Sequence, residues 1–270
     1  MIYDGGSIHE AGFPMSFTPP ESIAAALDLA HSSWRPALER GLAAVAAADP
    51  AYLPALAADS YLPTRGRLFA AFALPKDDVR YVLVGEGPYP REESATGVCF
   101  MDGAVGALWS ETGLSKQVNR ATSLRNFMKM LLVAGGQLKE GDTGGAAMAP
   151  VAARARADAG TIQTLAGLQG NLIARGFLLL NAALVFRGHV APVKDAKAWR
   201  PFLQTVLAEL EGRAPTLVWW GMIAQQLQAL PEAARLPQAV AEHPYNLSFI
   251  GNNGMQALFG PMHLLSRNTP

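Results

Sequence analysis

Four apolar runs, VRYVLVG at 79–85, FLLLNAAL at 177–184, PTLVWW at 215–220 and the shorter AVAEH at 239–243, alternate with longer stretches whose apolar residues recur at helical spacing. Short runs that are apolar on both faces read as strands buried from both sides. Such strands with helices between them describe a parallel sheet covered by helices above and below. The expected fold is therefore a three-layer α/β/α arrangement around a central, mostly parallel four-stranded sheet. Half of the 270 residues are apolar, enough to bury a substantial core in a single domain spanning 1–270.

Helical patterns open the chain at PPESIAAALDLAHSSW and WRPALERGLAAVAAA, followed by the short helix RGRLFAAFALP, stopped before Pro75. TSLRNFMKMLLVAGG reads as a helix capped by Thr122 or Ser123 and ended by the pair Gly135 and Gly136. Further helices are expected at 161–174, at DAKAWRPFLQTVLAELE, at MIAQQLQAL and at ALFGPMHLLSRN. Residues 136–160 are rich in Gly and Ala, are poor in large apolar side chains, and read as a mobile loop.

In sheets of this kind ligands bind beyond the carboxyl ends of the strands. The residues to examine are therefore Glu86 and Tyr89 after the first strand, Asn181 in the second, Gly221 after the third and His243 at the end of the fourth. The turn GEG at 85–87 raises the possibility of a dinucleotide site, but the third glycine of such a motif would fall at Pro90, and Pro88 removes a backbone N–H that the turn would offer.

One cysteine, Cys99, excludes a disulfide framework, an iron–sulfur cluster held by four protein thiolates and a Cys-rich zinc site, and it reads as a small buried hydrophobe. The start MIYDGGSIHEAGFPMSF has no basic opening and no apolar stretch of signal length, and nothing approaches a membrane span, so a cytoplasmic protein is expected. Net charge is zero, yet the basic residues cluster. Lys116, Arg120, Arg125, Lys129 and Lys139 occur between Thr112 and Lys139 without an acid, and Arg187, Lys194, Lys197 and Arg200 are offset only by Asp195. Charge runs are usually solvated faces, and these gain meaning only if the fold brings them to one rim.

The segment VGEGPYPREESATGVCF at 84–100 resembles the water-activating motif of the family-one uracil-DNA glycosylases, GQDPYH followed by HGLCF or HGLAF. FLLLNAALVFRGH resembles their LLLNxxLTVR segment, WWGMIAQQL their LWGxxAQ segment, HPYNLS their HPSPLS loop, LFGPMHLLSRN their FFGCxHFxxxN ending, and TSLRN their PPSLxN loop. The matches keep the family's order and cover roughly Trp34 to Asn268.

The resemblance implies a monomer that hydrolyses the N-glycosidic bond of uracil in DNA during base excision repair, without a metal or cofactor. A base in a duplex must be extruded, stacked and read on its Watson–Crick edge. Phe100 matches the stacking aromatic, Asn181 the amide that accepts from uracil N3–H and donates to O4, and Tyr89 the ring that blocks a C5-methyl. His243 matches the donor to uracil O2, where charge develops as the base departs. Leu247 matches the leucine that fills the gap left by the flipped base, and Ser123, Gly221 and Ser248 match positions that grip phosphates.

The motif departs from the family pattern at its chemical centre. Glu86 replaces the glutamine, Gly87 the water-orienting aspartate, and Pro90 the histidine of GQDPYH, while Tyr245 and Asn246 interrupt HPSP. GEGP is itself similar to the GEGPG or GEAPG motif of the iron–sulfur uracil-DNA glycosylases, whose four cysteines are absent from this sequence. Three functions follow: an active uracil-DNA glycosylase, in which Glu86, Gly87 and His243 form the catalytic group; a homologue that binds DNA and barely cleaves it; and a hydrolase of another nucleobase substrate.

Overall fold

The computed structural model of the protein describes residues 17–267. The segment MIYDGGSIHEAGFPMS and Asn268, on which expectations about targeting and about the family ending partly rest, lie outside the described residues.

Four strands form the central sheet: β1 (Tyr81–Gly85), β4 (Phe177–Asn181), β5 (Thr216–Trp220) and β6 (Gln238–Ala241), ordered β4-β1-β5-β6. Every pairing is parallel. Register places Gly85 beside Asn181 and Trp220 beside Ala241, so the strand ends lie level along one edge. Alternation of side chains across the pleat divides the core in two. Val82, Val84, Leu178, Leu180, Leu217 and Trp219 face a layer that includes helices α2 (Arg35–Ala48) and α8 (Pro192–Leu210). Leu83, Phe177, Leu179, Val218 and Trp220 belong to a second cluster, with side chains of α5 (Thr122–Ala134), α7 (Leu165–Ala174) and α11 (Asn253–Phe259). The result is the three-layer α/β/α architecture, and the sheet is parallel throughout.

Several elements differ from the sequence reading. The stretch 136–160 contains a 13-residue helix, α6 (Gly145–Ala157), where a loop was expected. Its buried residues Met148, Val151, Ala152 and Ala155 keep the spacing of one helical face, and alanine supplies helix propensity without bulk. This face covers an antiparallel ribbon of two short strands, β2 (Trp109–Ser110) and β3 (Gly113–Leu114), too brief to leave a periodic signal. Neither Thr122 nor Ser123 caps α5. The preceding helix α4 (Lys116–Arg120) runs almost directly into it, Ala121 takes the cap position, and Ser123 is left in the first turn. Helix α7 begins at Leu165 rather than 161, because Thr164 accepts a hydrogen bond from Gly167 N–H and caps it. The expected helix at 257–268 ends at Phe259, where Gly260 and Pro261 start a 3-10 turn. The ending formed by Gly135 and Gly136 is as expected, Gly136 adopting φ +68°. No helix among the described residues is long and apolar enough to cross a membrane.

Candidate active site

A cavity of about 230 Å³ opens beyond the carboxyl edge of the sheet. It is lined by Glu86, Gly87, Tyr89 and Phe100 from the loop after β1, by Asn181 at the end of β4, by His243 from the loop after β6 and by Ser123 from α5. Residues far apart in the chain meet here because parallel strands all deliver their carboxyl ends to one edge.

Asn181 forms the inner wall. Its side chain is only 5% exposed, and no hydrogen bond within the described residues engages its amide. The other buried asparagines behave differently. Asn126 donates to the carbonyls of Pro244, Tyr245 and Asn246, and Asn171 donates to those of Leu264 and Ser266. The Asn181 amide instead faces the cavity without a protein partner, so it is free to meet a ligand's polar edge. Its room depends on Gly85, where a Cβ would lie 2.8 Å from Asn181 Oδ1 and 3.0 Å from Cys99 Cβ. Cys99 is the buried small residue that its sequence context suggested. Its thiol donates to the Leu83 carbonyl at 3.3 Å, and burial raises its pKa far above the usual thiol range.

Phe100 adopts the left-handed region, φ +65°, which turns its ring into the cavity wall. Two aromatic edges hold the ring, Phe127 at 5.3 Å and Trp220 at 5.2 Å between centroids. Tyr89 stands beside it. Desolvation first, and the Asp102 carboxylate second, push the pKa of its hydroxyl up to about 12, so the phenol stays neutral.

His243 closes the opposite side. The Tyr245 backbone N–H donates to His243 Nδ1 at 3.1 Å, which assigns the proton of the neutral ring to Nε2. Desolvation lowers the His243 pKa below its ordinary 6.5, and the nearby Glu86 carboxylate opposes that shift. The ring is therefore neutral at pH 7 and offers an Nε2–H donor. Gly221 makes this placement possible: at φ +66°, a Cβ there would fall 2.7 Å from His243 Cβ. Gly87, by contrast, is not in the left-handed region, and a Cβ there would meet only Ala183, at 3.7 Å.

No family model matches the chain. The crystal structure of wild-type UNG from Nitratifractor salsuginis superposes with a TM-score of 0.85 at 41% identity, covering 93% of this chain and 100% of that one. The chain belongs to the uracil-DNA glycosylases. Curated members of that family are more distant. The uracil-DNA glycosylase of Nocardioides sp. is 28% identical over 191 residues, 70% of this chain and 67% of its own length. Uracil-DNA glycosylase 1 of Streptomyces avermitilis is 26% identical over 225 residues, 82% of this chain and 83% of its own. The mimivirus uracil-DNA glycosylase, 16% identical with a TM-score of 0.53, shares the fold.

Of the residues singled out from sequence, the cavity gathers Glu86, Gly87, Tyr89, Phe100, Ser123, Asn181 and His243. Gly221 shapes it through contact with His243. Leu247 and Ser248 do not line it and stand on the loop that leaves His243. Leu247 and Ser248 are both exposed, and the nearby Glu242 carboxylate accepts from Asn252 Nδ2 at 2.7 Å.

Two members of the basic clusters, Arg187 and Lys129, do not line the cavity. Arg187 is 11% exposed and bound to Asp195 at 2.6 Å and Asp59 at 3.1 Å, with Tyr52 also donating to Asp195, so it is a structural cation inside the fold. Lys129 lines a separate cleft beside Gly113 and Thr143.

The residue that sequence reading missed is Asn126. Fully buried on α5, its amide bonds to three successive carbonyls of the His243 loop at 2.7, 3.3 and 3.3 Å. It is the asparagine that ends the TSLRN match to the PPSLxN loop, a signal that sequence reading did not turn into a role.

Proposed function

We propose that the protein excises uracil from DNA by hydrolysing the N-glycosidic bond, as a DNA-repair glycosylase. The observation that carries this reading is the amide of Asn181, which faces the cavity with no protein hydrogen-bond partner. An amide oxygen facing uracil N3–H and an NH₂ facing O4 satisfy both partners, whereas cytosine presents the reverse pattern and leaves both unpaired. Phe100 stacks on the flipped base, and Tyr89 occupies the side where a C5-methyl would intrude.

As the glycosidic bond breaks, its electron pair leaves with the base and negative charge grows on uracil O2. The neutral His243 ring, with its proton on Nε2, stabilises that charge without first being desolvated as a cation. The sugar becomes oxocarbenium-like and is captured by water. Gly87 presents no side chain to hold that water, and general-base assistance is typically worth about 10²–10⁴-fold. The enzyme is therefore slow in its parent form. Ser123, Gly221, Ser248 and Leu247 belong to the DNA-contacting rim. Glu86 tunes His243 through its charge.

Alkaline cleavage of a uracil-containing oligonucleotide after incubation with the protein tests the reading. Strand breaks at uracil are expected with the parent and absent with Asn181→Ala. Full activity in a folded Asn181→Ala protein would sink the assignment of Asn181. Binding without base release would support the silent DNA-binding homologue, and neither binding nor release would support another nucleobase substrate.

A further inference from the structure

Few large apolar side chains are exposed among the described residues, and three of them sit on the two segments that meet at His243: Met222 at 65%, Tyr245 at 67% and Leu247 at 69%. The backbone beneath the last two is tightly held. Asn126 bonds to the carbonyls of residues 244 to 246, Tyr245 N–H bonds to the His243 ring, and Asn246 N–H bonds to the His243 carbonyl at 2.9 Å. Phe249, fully buried, anchors the far end. The loop is thus rigid, while its Tyr245 ring is presented to solvent. An apolar surface of this kind beside a binding cavity marks a contact site.

Asn246 between the two side chains is extended, with φ −77° and ψ 139°. It links the turn that carries Tyr245, closed by the Asn246 N–H to His243 carbonyl bond, to the 3-10 helix that opens at Leu247. An exposed aromatic ring on the loop that leaves a cavity-lining residue offers a face on which a base can stack.

We propose that Tyr245 is a stacking platform for the nucleobase adjacent to the flipped uracil, and that it gives the enzyme a preference for single-stranded or locally unpaired DNA. The proposal rests on the uracil-excision reading of the cavity. In a duplex the neighbouring base already stacks on its own strand and gains little from Tyr245. In a single strand that stack is weak, and the ring supplies a replacement that every base can use.

The test uses oligonucleotides with 2-aminopurine next to a single uracil, single-stranded and as duplexes, mixed with the parent, Tyr245→Phe and Tyr245→Ser. Stacking on the ring quenches the fluorescence with the parent and with Tyr245→Phe, and Tyr245→Ser abolishes that quenching on single strands. Single-turnover excision from single strands falls about ten-fold in Tyr245→Ser, the weight of one base–aromatic stack, and is retained in Tyr245→Phe. Duplex excision falls less, so the preference for single strands shrinks. Quenching that persists in Tyr245→Ser, or equal losses on both substrates, would overturn the platform. Absence of uracil release by the parent would overturn the excision reading instead, and the quenching, which needs no release, would still decide the role of Tyr245.

Discussion

Gly221→Ala places one methyl group where the geometry has room for none. The added Cβ would lie 2.7 Å from His243 Cβ and 3.5 Å from its Cα, whereas ordinary contact begins near 3.4 Å, so the imidazole must recede by about 0.7 Å. Displacements near 1 Å from productive geometry cost about 10²-fold. Single-turnover uracil excision by Gly221→Ala is therefore expected to drop by roughly 10- to 10²-fold. A separate loss of stability, about 1–2 kcal/mol, arises because alanine resists the left-handed conformation at φ +66°. Gly136→Ala isolates that second effect. Gly136 has φ +68° with nothing within 4 Å of an added Cβ, so this variant should lose similar stability and keep its excision rate. Rates are read well below both unfolding midpoints, alongside histidine nitrogen spectra that report the position and tautomer of His243. A folded Gly221→Ala protein that releases uracil at the parent rate would refute the claim that a glycine here is what seats His243.

Further outcomes follow from neighbouring groups. Gly87→Asp meets only Ala183 at 3.7 Å and needs no left-handed backbone, so a carboxylate should be accommodated and raise single-turnover excision toward the lower end of the general-base range, about 10²-fold; an unchanged rate in the folded variant would show that water capture needs no base. Because Tyr245 N–H occupies His243 Nδ1 and the pKa lies below 6.5, activity should be lost only as pH falls through that lowered value. The neutral ring's contribution to stability should likewise be present above pH 6.5 and fade below it. Asn126→Leu frees the loop and should move the acid limb of the rate profile up toward 6.5, whereas Glu86→Gln removes the opposing carboxylate and should move it further down; identical profiles in all three proteins would disprove the coupling. Arg187→Glu should act on folding rather than on DNA binding, since it sets a carboxylate against Asp195 and Asp59, and loss of a buried pair costs about 3–5 kcal/mol; urea denaturation with an unchanged midpoint would contradict this.

The sheet and the floor of the cavity were legible in the linear chain. Strands buried on both faces must be apolar throughout, so Tyr81–Gly85, Phe177–Asn181 and Thr216–Trp220 announce themselves, and the polar or glycine residues at their ends fall at the crevice by the topology of parallel sheets. Asn181, His243 and Phe100 could be named on that basis together with the family motifs.

What the chain by itself did not determine depends on contacts between distant segments. Arg187 looked like a member of a basic face, and only folding brings Asp59, 128 residues earlier, against it. Asn126 was visible as the last residue of the TSLRN motif but without a role, and only folding sets its amide beneath carbonyls 118 to 120 residues away. The tautomer of His243 follows from a single backbone N–H whose direction no residue type encodes. Helix α6 was missed because small side chains give a faint hydrophobic signal, although they bury fully once the β2-β3 ribbon lies against them. Burial patterns are local and repeat along the sequence, whereas charge pairing, tautomer choice and close packing are set by whichever groups the fold brings within a few ångströms.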